Sequence, residues 1–385
     1  MEVHRTDTYR LDPTADQHNH LKRMAGCGRF VWNRALELIQ TYRAWGEGVP
    51  RYNAVEAHLA QWKRVFPWLV TDGHSQALQQ RLRDLDQAWA AALDPEQPDA
   101  RPPRFKARGS GDTIRFPQGV AVRGAQVKLP KIGRVRFRKS RNLPEEAEVR
   151  SVVVTRDGAH WFAHLQIRYT VPDPGYATDP HVLGLDLGVA RFLTASDGTV
   201  FPALTARYER LQKRLAREQR RLARKQKGSN NRAKQRDRVA AVHRKLRNIR
   251  TDFAHQVSTA LAKSHGWVVA EDLNLGGMTR SARGTAEAPG TGVRQKAGLN
   301  RSILAQGWGQ FLDALAYKLA EHGGTLIRVD PAHTSQRCPE CGHAEAANRP
   351  DQATFACRGC GYTDHADRVG AINVRARGIE ALATV

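Results

Sequence analysis

The sequence predicts a multidomain α+β chain with a helical part, a strand-rich part, and an α/β part carrying a basic helical insertion and a small cysteine-built module. Three observations predict it. Helical apolar spacing fills residues 15–95, and after a Pro-rich break the pattern turns to strands as far as about residue 175. Two short apolar runs, Val182–Leu187 and Trp267–Ala270, then stand among amphipathic helical segments. Four of the five cysteines gather between Cys338 and Cys360. At 385 residues the chain is too long for one ordinary core, and 41% hydrophobic residues can supply two or three.

The helical part shows His18-Leu21-Met24, then Phe30-Val31 through Leu36-Leu38-Ile39, then Leu78 to Leu93. Trp32, Trp45, Trp62, Trp68 and Trp89 lie here with Tyr42 and Tyr52. Core packing is the expectation for most of them, with one or two left to stack on bases. Cys27, alone in this half, reads as a packing thiol. The break is DPEQPDARPPR, Asp94–Arg104. Beyond it, Trp161, Ala163, Leu165 and Ile167 alternate with Phe162, His164, Gln166 and Arg168, as a strand with one buried face requires. Arg134, Arg136 and Arg138 alternate in the same way, a spacing suited to phosphate contact.

HVLGLDLGVARFLTASDGTV, His181–Val200, reads as two strands with a turn at Ser196–Thr199. Asp186 interrupts the first apolar run. A carboxylate in a buried strand is costly unless paired or metal-bound, although it can instead cap a nearby turn. GWVVAEDLNLGG, Gly266–Gly277, gives a strand with Glu271 at its carboxyl end, where ligands of open α/β sheets gather. Asp272 reads as facing solvent or capping a turn. After the cysteines, Asp367 precedes a helical segment that Gly378 can stop; Asp367 or Asp364 can equally be that helix's N-cap. Three acids on separate segments, if they meet, form a hard oxygen set suited to Mg2+ or Mn2+. Two such ions about 4 Å apart can activate water and stabilise the leaving oxygen of a phosphodiester.

The net charge is +23, with a pI near 10.4, and it is clustered. Residues 206–250 hold 18 Lys and Arg against 3 Asp and Glu, so +15 of the total lies in 45 residues. Leu211, Leu215 and Leu222, then Val239, Val242, Leu246 and Ile249, recur at helical spacing, and Gly228-Ser229-Asn230-Asn231 breaks the run into an αα-hairpin. The second helix is expected to continue through Phe253, Val257 and Leu261. Charge runs are usually solvated faces. With so few acidic counterparts, self-repulsion here points instead to a polyanionic partner, most simply nucleic acid. No stretch approaches the roughly 18 apolar residues needed to cross a bilayer, and the N-terminus lacks a secretory apolar core. The expectation is a reducing, cytoplasmic setting without disulfides. Ser281–Asn300, poor in large apolar residues, reads as a mobile loop.

The cysteines are spaced Cys338-x2-Cys341, fifteen residues, Cys357-x2-Cys360. Two CxxC pairs so separated match a four-thiolate zinc ribbon over 333–363. Tetrahedral Zn2+ takes two ligands from each tight knuckle, and a closed four-cysteine site is structural. Gly342 and Gly361 follow the two knuckles and are expected to free backbone N–H groups toward sulfur.

In this order, YRLDPTADQ…LKRMAGCGRFVWNRAL (Tyr9–Leu36), PRFKAR (Pro103–Arg108), GLDLGVARFLTASDG (Gly184–Gly198), VVAEDLNLGGM (Val268–Met278) and CPECG…CRGCGYTDHADRVGAINV (Cys338–Val374) resemble the transposon-encoded TnpB (OrfB) family, relatives of type V CRISPR effector nucleases. The resemblance covers nearly the whole chain. It implies an RNA-guided DNA endonuclease with a RuvC-like, RNase H-type α/β nuclease domain over 176–332 and 364–385, in which 206–264 is the basic insertion. It implies a helical recognition domain, 15–100, inserted in a β-barrel wedge domain made of 1–14 and 101–175. These would hold a guide RNA derived from the transposon end and read a short motif flanking the target double-stranded DNA. Residue by residue, Asp186, Glu271 and Asp367 match the family's catalytic, magnesium-binding acids, and Cys338, Cys341, Cys357 and Cys360 match its zinc ribbon. Val369 stands where asparagine is frequent, which leaves Asp364 a rival to Asp367. A monomer associated with the nucleoid when DNA-bound is the expected form. The competing readings are an RNA-guided repressor without cleavage, a strand-joining transposase, and a plain zinc-ribbon DNA-binding factor.

Overall fold

A computed structural model describes residues 2–108, 111–171, 182–204, 206–285 and 287–383. The far end of the expected wedge segment, 172–175, and His181 lie outside the described residues. Two compact units emerge, Glu2–Thr170 and Val171–Val385.

The first unit opens with β1 (Glu2–Asp12) and α1 (Ala15–Ala44). Between them a capping box fixes the helix start. Thr14 Oγ1 accepts from the Gln17 amide at 3.3 Å, and Gln17 Oε1 accepts from the Thr14 amide at 3.1 Å. Then come α2 (Tyr52–Val65), α3 (Trp68–Thr71) and α4 (Ser75–Leu93). Val31, Leu36, Leu59, Leu78, Leu82, Leu85, Trp32, Trp62 and Trp89 form their common core. Of the five tryptophans here only Trp45, at 69%, and Trp68, at 38%, are exposed, and Trp68 packs edge-on against Phe30.

Six further strands follow: β2 (Thr113–Phe116), β3 (Ala121–Arg123), β4 (Gln126–Leu129), β5 (Gly133–Phe137), β6 (Glu148–Asp157) and β7 (His160–Thr170). With β1 they make one seven-stranded sheet in the order β2-β6-β7-β1-β5-β4-β3. β1 pairs antiparallel with β7 from Glu2 to Leu11 and with β5 at Leu11 and Asp12, which joins the two halves of the sheet. Trp161, Ala163, Leu165 and Ile167 are buried, as their alternation requires.

The second unit is built on a five-stranded sheet. Its first strands are β8 (Val182–Leu187), β9 (Arg191–Ala195) and a short β10 (Val200–Pro202) that the sequence reading did not separate. The hairpin α5 (Ala206–Ala223) and α6 (Asn230–Ser264) comes next, then β11 (Trp267–Glu271), α7 (Leu275–Met278), α8 (Val293–Gln306), α9 (Trp308–Glu321) and β12 (Thr325–Val329). The strand order is β10-β9-β8-β11-β12. β10, β9 and β8 pair antiparallel, whereas β8, β11 and β12 run parallel. Phe192, Leu193, Val257, Leu261, Phe311 and Leu315 fill the core on one side. Lys318 Nζ pins α9 to α6 by donating to His255 O, Ser258 Oγ and Thr259 Oγ1 at 2.7–2.8 Å.

The hairpin breaks where its glycine and asparagines stand. Ser229 caps α6 by accepting from the Arg232 amide, and Arg232 Nη1 caps α5 through the Leu222 and Lys225 carbonyls at 2.7 and 2.9 Å. Glu218 is only 8% exposed and receives Gln235 Nε2 at 2.6 Å.

Two expectations about elements fail. Gly378 does not stop the last helix, which runs on to Ala383. Val293–Asn300 is the front of α8 rather than loop. Polar tertiary contacts hold it: Lys296 Nζ donates to Met278 O and Asn300 Nδ2 to Thr279 O, at 2.7 and 2.8 Å. Such contacts leave no apolar period to read.

The chain ends with β13 (Thr354–Ala356), β14 (Thr363–His365) and α10 (Ala366–Ala383). β13 and β14 pair around the cysteine cluster, and β14 runs straight into α10. α10 lies on β8 because of a glycine. A Cβ at Gly184 would run into the Ala371 carbonyl and the Arg375 amide.

Candidate active site

Asp186 is the penultimate residue of β8 and Glu271 the last of β11. The two strands are paired in register from Trp267↔Val182 to Ala270↔Leu185. Asp186 and Glu271 are therefore the next residues along, side by side on neighbouring parallel strands about 4.8 Å apart. Asp367 lies in the first turn of α10, where the helix dipole favours a carboxylate. The helix begins at Ala366, one residue before Asp367, so Asp367 is not its N-cap. One turn further on, Gly370 lies against Asp186: a Cβ there would stand 3.3 Å from both Asp186 Cγ and Oδ2.

The electrostatics record the same grouping. Burial first, then the charges of Glu271 and Asp367, push the Asp186 carboxyl up to about 8, against the opposing charge of Arg349. Glu271 is also raised by burial, against a hydrogen bond from Thr334 and the charge of Arg377. Asp364 takes no part. Its Oδ2 accepts from Tyr362 Oη at 2.9 Å and from Arg368 Nη1 at 3.0 Å. Asp272 is exposed and pairs with Arg328 at 3.4 Å.

A hard divalent cation fits this donor set. The oxygens come from three carboxylates, and their mutual charge repulsion is what such an ion relieves. Directly across from Asp186 stands Thr194 of β9, 2% exposed, whose buried Oγ1 has no hydrogen-bond partner. Among the described residues the four cysteines form a group able to hold a metal ion, their sulfurs all within 4.8 Å of one another.

The cysteines form the closed site. Cys338 and Cys360 Sγ are 3.6 Å apart, Cys341 and Cys357 Sγ 3.5 Å. A tetrahedron with Zn–S bonds of about 2.3 Å has edges of about 3.8 Å, close to these two separations, and the four sulfurs lie within 4.8 Å of one another. The amides of Gly359 and Cys360 point at Cys357 Sγ, and the Cys360 amide leads in lowering that thiol to about 6. The expected role of Gly342 and Gly361 needs correction. Their amides donate to the carbonyls of Cys338 and Cys357, not to sulfur. Glycine is required there because φ is +76° and +78°.

Sequence reasoning missed a basic recess of about 550 Å3 in the first unit, where Lys22, Arg23, Arg29, Arg108 and Arg156 surround Asp112. Asp112, 7% exposed, pairs with Arg29 and Arg156. The contributing residues are scattered over α1, the stretch just before β2 and β6, so no local charge run announces them.

The fold and site define a multidomain α/β protein with acidic strand ends, a basic helical hairpin and a cysteine cluster of zinc-ribbon geometry. The comparisons narrow this. Residues 166–282, which hold Asp186 and Glu271, match the family model OrfB_IS605, "Probable transposase". Residues 308–374, which hold the cysteines and Asp367, match "Cas12f1-like, TNB domain". Residues 1–47 match "Helix-turn-helix domain", although the structure has there one strand and one 30-residue helix. "Putative RNA-guided DNA endonuclease InsQ" of Escherichia coli (strain K12) is 42% identical over 380 residues, 97% of this chain and 92% of that protein. A "Putative RNA-guided DNA endonuclease" of Streptomyces pristinaespiralis is 33% identical over 100% of this chain and 91% of its own length. The chain belongs to this OrfB (TnpB) family. The "Cryo-EM structure of the Cas12f1-sgRNA-target DNA complex" has a similar fold, with TM-score 0.55 and 12% identity over 97% of this chain and 99% of that one. Among the described residues no helix is long and apolar enough to cross a membrane.

Proposed function

We propose that the chain is an RNA-guided DNA endonuclease whose divalent metal ions are held by Asp186, Glu271 and Asp367. The observation that carries this is the repulsion focused on Asp186, whose carboxyl is raised by burial, Glu271 and Asp367 together. Bound Mg2+ or Mn2+ would supply an activated water and charge neutralisation at phosphorus. Asp186 and Glu271 present oxygens from adjacent rigid strands, which limits their motion, and Asp367 closes the set from α10. Arg349 brings a positive charge to the same place, suited to a phosphate oxygen. A RuvC-like, RNase H-type domain is supported by a sheet that is antiparallel on one side of β8 and parallel on the other, with the first acid on β8. The seven-stranded sheet and helices α1 to α4 supply the barrel-like wedge and recognition parts. The ribbon takes Zn2+ as a structural ion.

Guide RNA and target DNA are the partners this reading requires. Helices α5 and α6 and the Lys22–Arg156 recess offer phosphate contacts without sequence preference. The target is cut beside a short flanking motif, after the guide has unwound it. The test uses the chain co-expressed with the RNA of its own locus, a matching linear DNA and Mg2+. Wild type cleaves; Asp186→Ala binds the target in a guide-dependent manner and does not cleave. Cleavage by Asp186→Ala at the wild-type rate would end this reading, as would co-purification of random RNA fragments only.

A further inference from the structure

Glu271 does not stand alone at the end of β11. Its Oε1 accepts a hydrogen bond of 2.6 Å from Thr334 Oγ1. Glu271 is 8% exposed and Thr334 3%. Thr334 belongs neither to the sheet nor to the cysteine knuckles, but to the segment leading from β12 to Cys338. Its hydroxyl has one proton and two acceptors in reach, Glu271 Oε1 at 2.6 Å and Pro331 O at 3.0 Å. The shorter, charge-assisted bond takes the proton. One carboxylate oxygen is thereby tied to a fixed point, and the other, Oε2, is left to turn toward a cation.

Thr334 is itself held. Asn373 Nδ2 donates to Thr334 O and to Arg337 O, both at 2.7 Å. Asn373 is 6% exposed and lies on α10, the helix that also carries Asp367. A single buried amide thus joins the helix of one acid to the loop that orients another. We propose that Thr334, held by Asn373, is a positioning residue for Glu271, setting which carboxylate oxygen faces the metal and coupling the approach to the cysteine ribbon to the active site. This rests on the reading of Glu271 as a metal-binding acid.

The test compares Thr334→Val, which keeps the shape and removes the donor, with Thr334→Ser, which keeps the donor. Full-length protein in complex with its RNA is titrated with Mn2+, and free Mn2+ is followed by electron paramagnetic resonance. Zinc content and melting temperature are measured alongside. Loss of a group that orients a metal ligand typically weakens binding about 10- to 100-fold. The expectation is that weakening in Thr334→Val, near wild-type binding in Thr334→Ser, and unchanged zinc content in both. The Mg2+ concentration for half-maximal cleavage rises in Thr334→Val, while the rate at saturating Mg2+ changes less. Wild-type Mn2+ affinity in Thr334→Val overturns the proposal. Should Thr334→Val melt early, Thr334→Ser decides, because weakened Mn2+ binding with the hydroxyl present also overturns it. Glu271→Gln separates the two readings. If it too binds Mn2+ like wild type, the assignment of Glu271 as a ligand has failed rather than the role of Thr334.

Discussion

The raised carboxyl of Asp186 makes the stability of the Mg2+-free protein depend on pH in a stated direction. The unfolded chain loses this proton near pH 3.8, the folded chain near 8. Between those values the folded state binds the extra proton, so stability falls as pH rises through the window. Each unit of difference is worth about 1.4 kcal/mol, which sets a ceiling of roughly 6 kcal/mol. Asp186 still meets solvent on one side, and screening reduces this to about 2 kcal/mol. For a unit of about 200 residues that corresponds to a melting shift of about 5 °C. The perturbation is Asp186→Asn, which keeps the shape and removes the titration. Both proteins are melted from pH 5 to pH 8 after dialysis without chelator, which leaves the ribbon zinc in place. Over that part of the window wild type should lose about 3–4 °C more than the variant, and Mg2+ should restore the loss at pH 8 in wild type only. Parallel curves with and without Mg2+ would show that no shared carboxylate charge exists at this site.

Gly370→Ala tests the helix contact. The new Cβ would press on Asp186 at 3.3 Å, so cleavage should fall while guide-RNA binding persists, with overpacking costing about 1–3 kcal/mol in a melt. Cys357→Ser removes one thiolate from the zinc site. Because β14 continues into α10, zinc loss should free the first turn of α10 and abolish cleavage, measured by metal content and cleavage on the same sample. Replacing Lys225, Lys227 and Lys234 with Gln in the basic hairpin should weaken DNA and RNA binding and make its logarithmic salt dependence shallower by up to about three, with little change in melting temperature.

Much of this site is written locally. Asp186 interrupts an apolar run and Glu271 ends one, and a carboxylate at such a place is visible because burial makes it expensive. The cysteine knuckles and the break at Gly228–Asn231 are short-range patterns, each with its own residue chemistry. What escaped notice depends on distant partners. Thr334 and Asn373 look like ordinary polar residues until the fold brings them to Glu271. Thr194 looks like any strand threonine until its neighbour is Asp186. Val293–Asn300 lacks an apolar stripe because lysine and asparagine contacts to α7 and the residues just after it hold it. The ambiguity between Asp364 and Asp367 is likewise tertiary, since both precede or begin the same helix. Asp364 is engaged with Tyr362 and Arg368, and only Asp367 acts on Asp186.

The central claim is that Asp186, Glu271 and Asp367 bind divalent metal. Anomalous diffraction from crystals of the RNA complex soaked in Mn2+ measures this most directly. The account predicts at least one manganese peak about 2 Å from an Asp186 carboxylate oxygen and from Glu271 or Asp367, lost in crystals of Asp186→Ala. Manganese peaks elsewhere on the chain, with none touching Asp186, would contradict it.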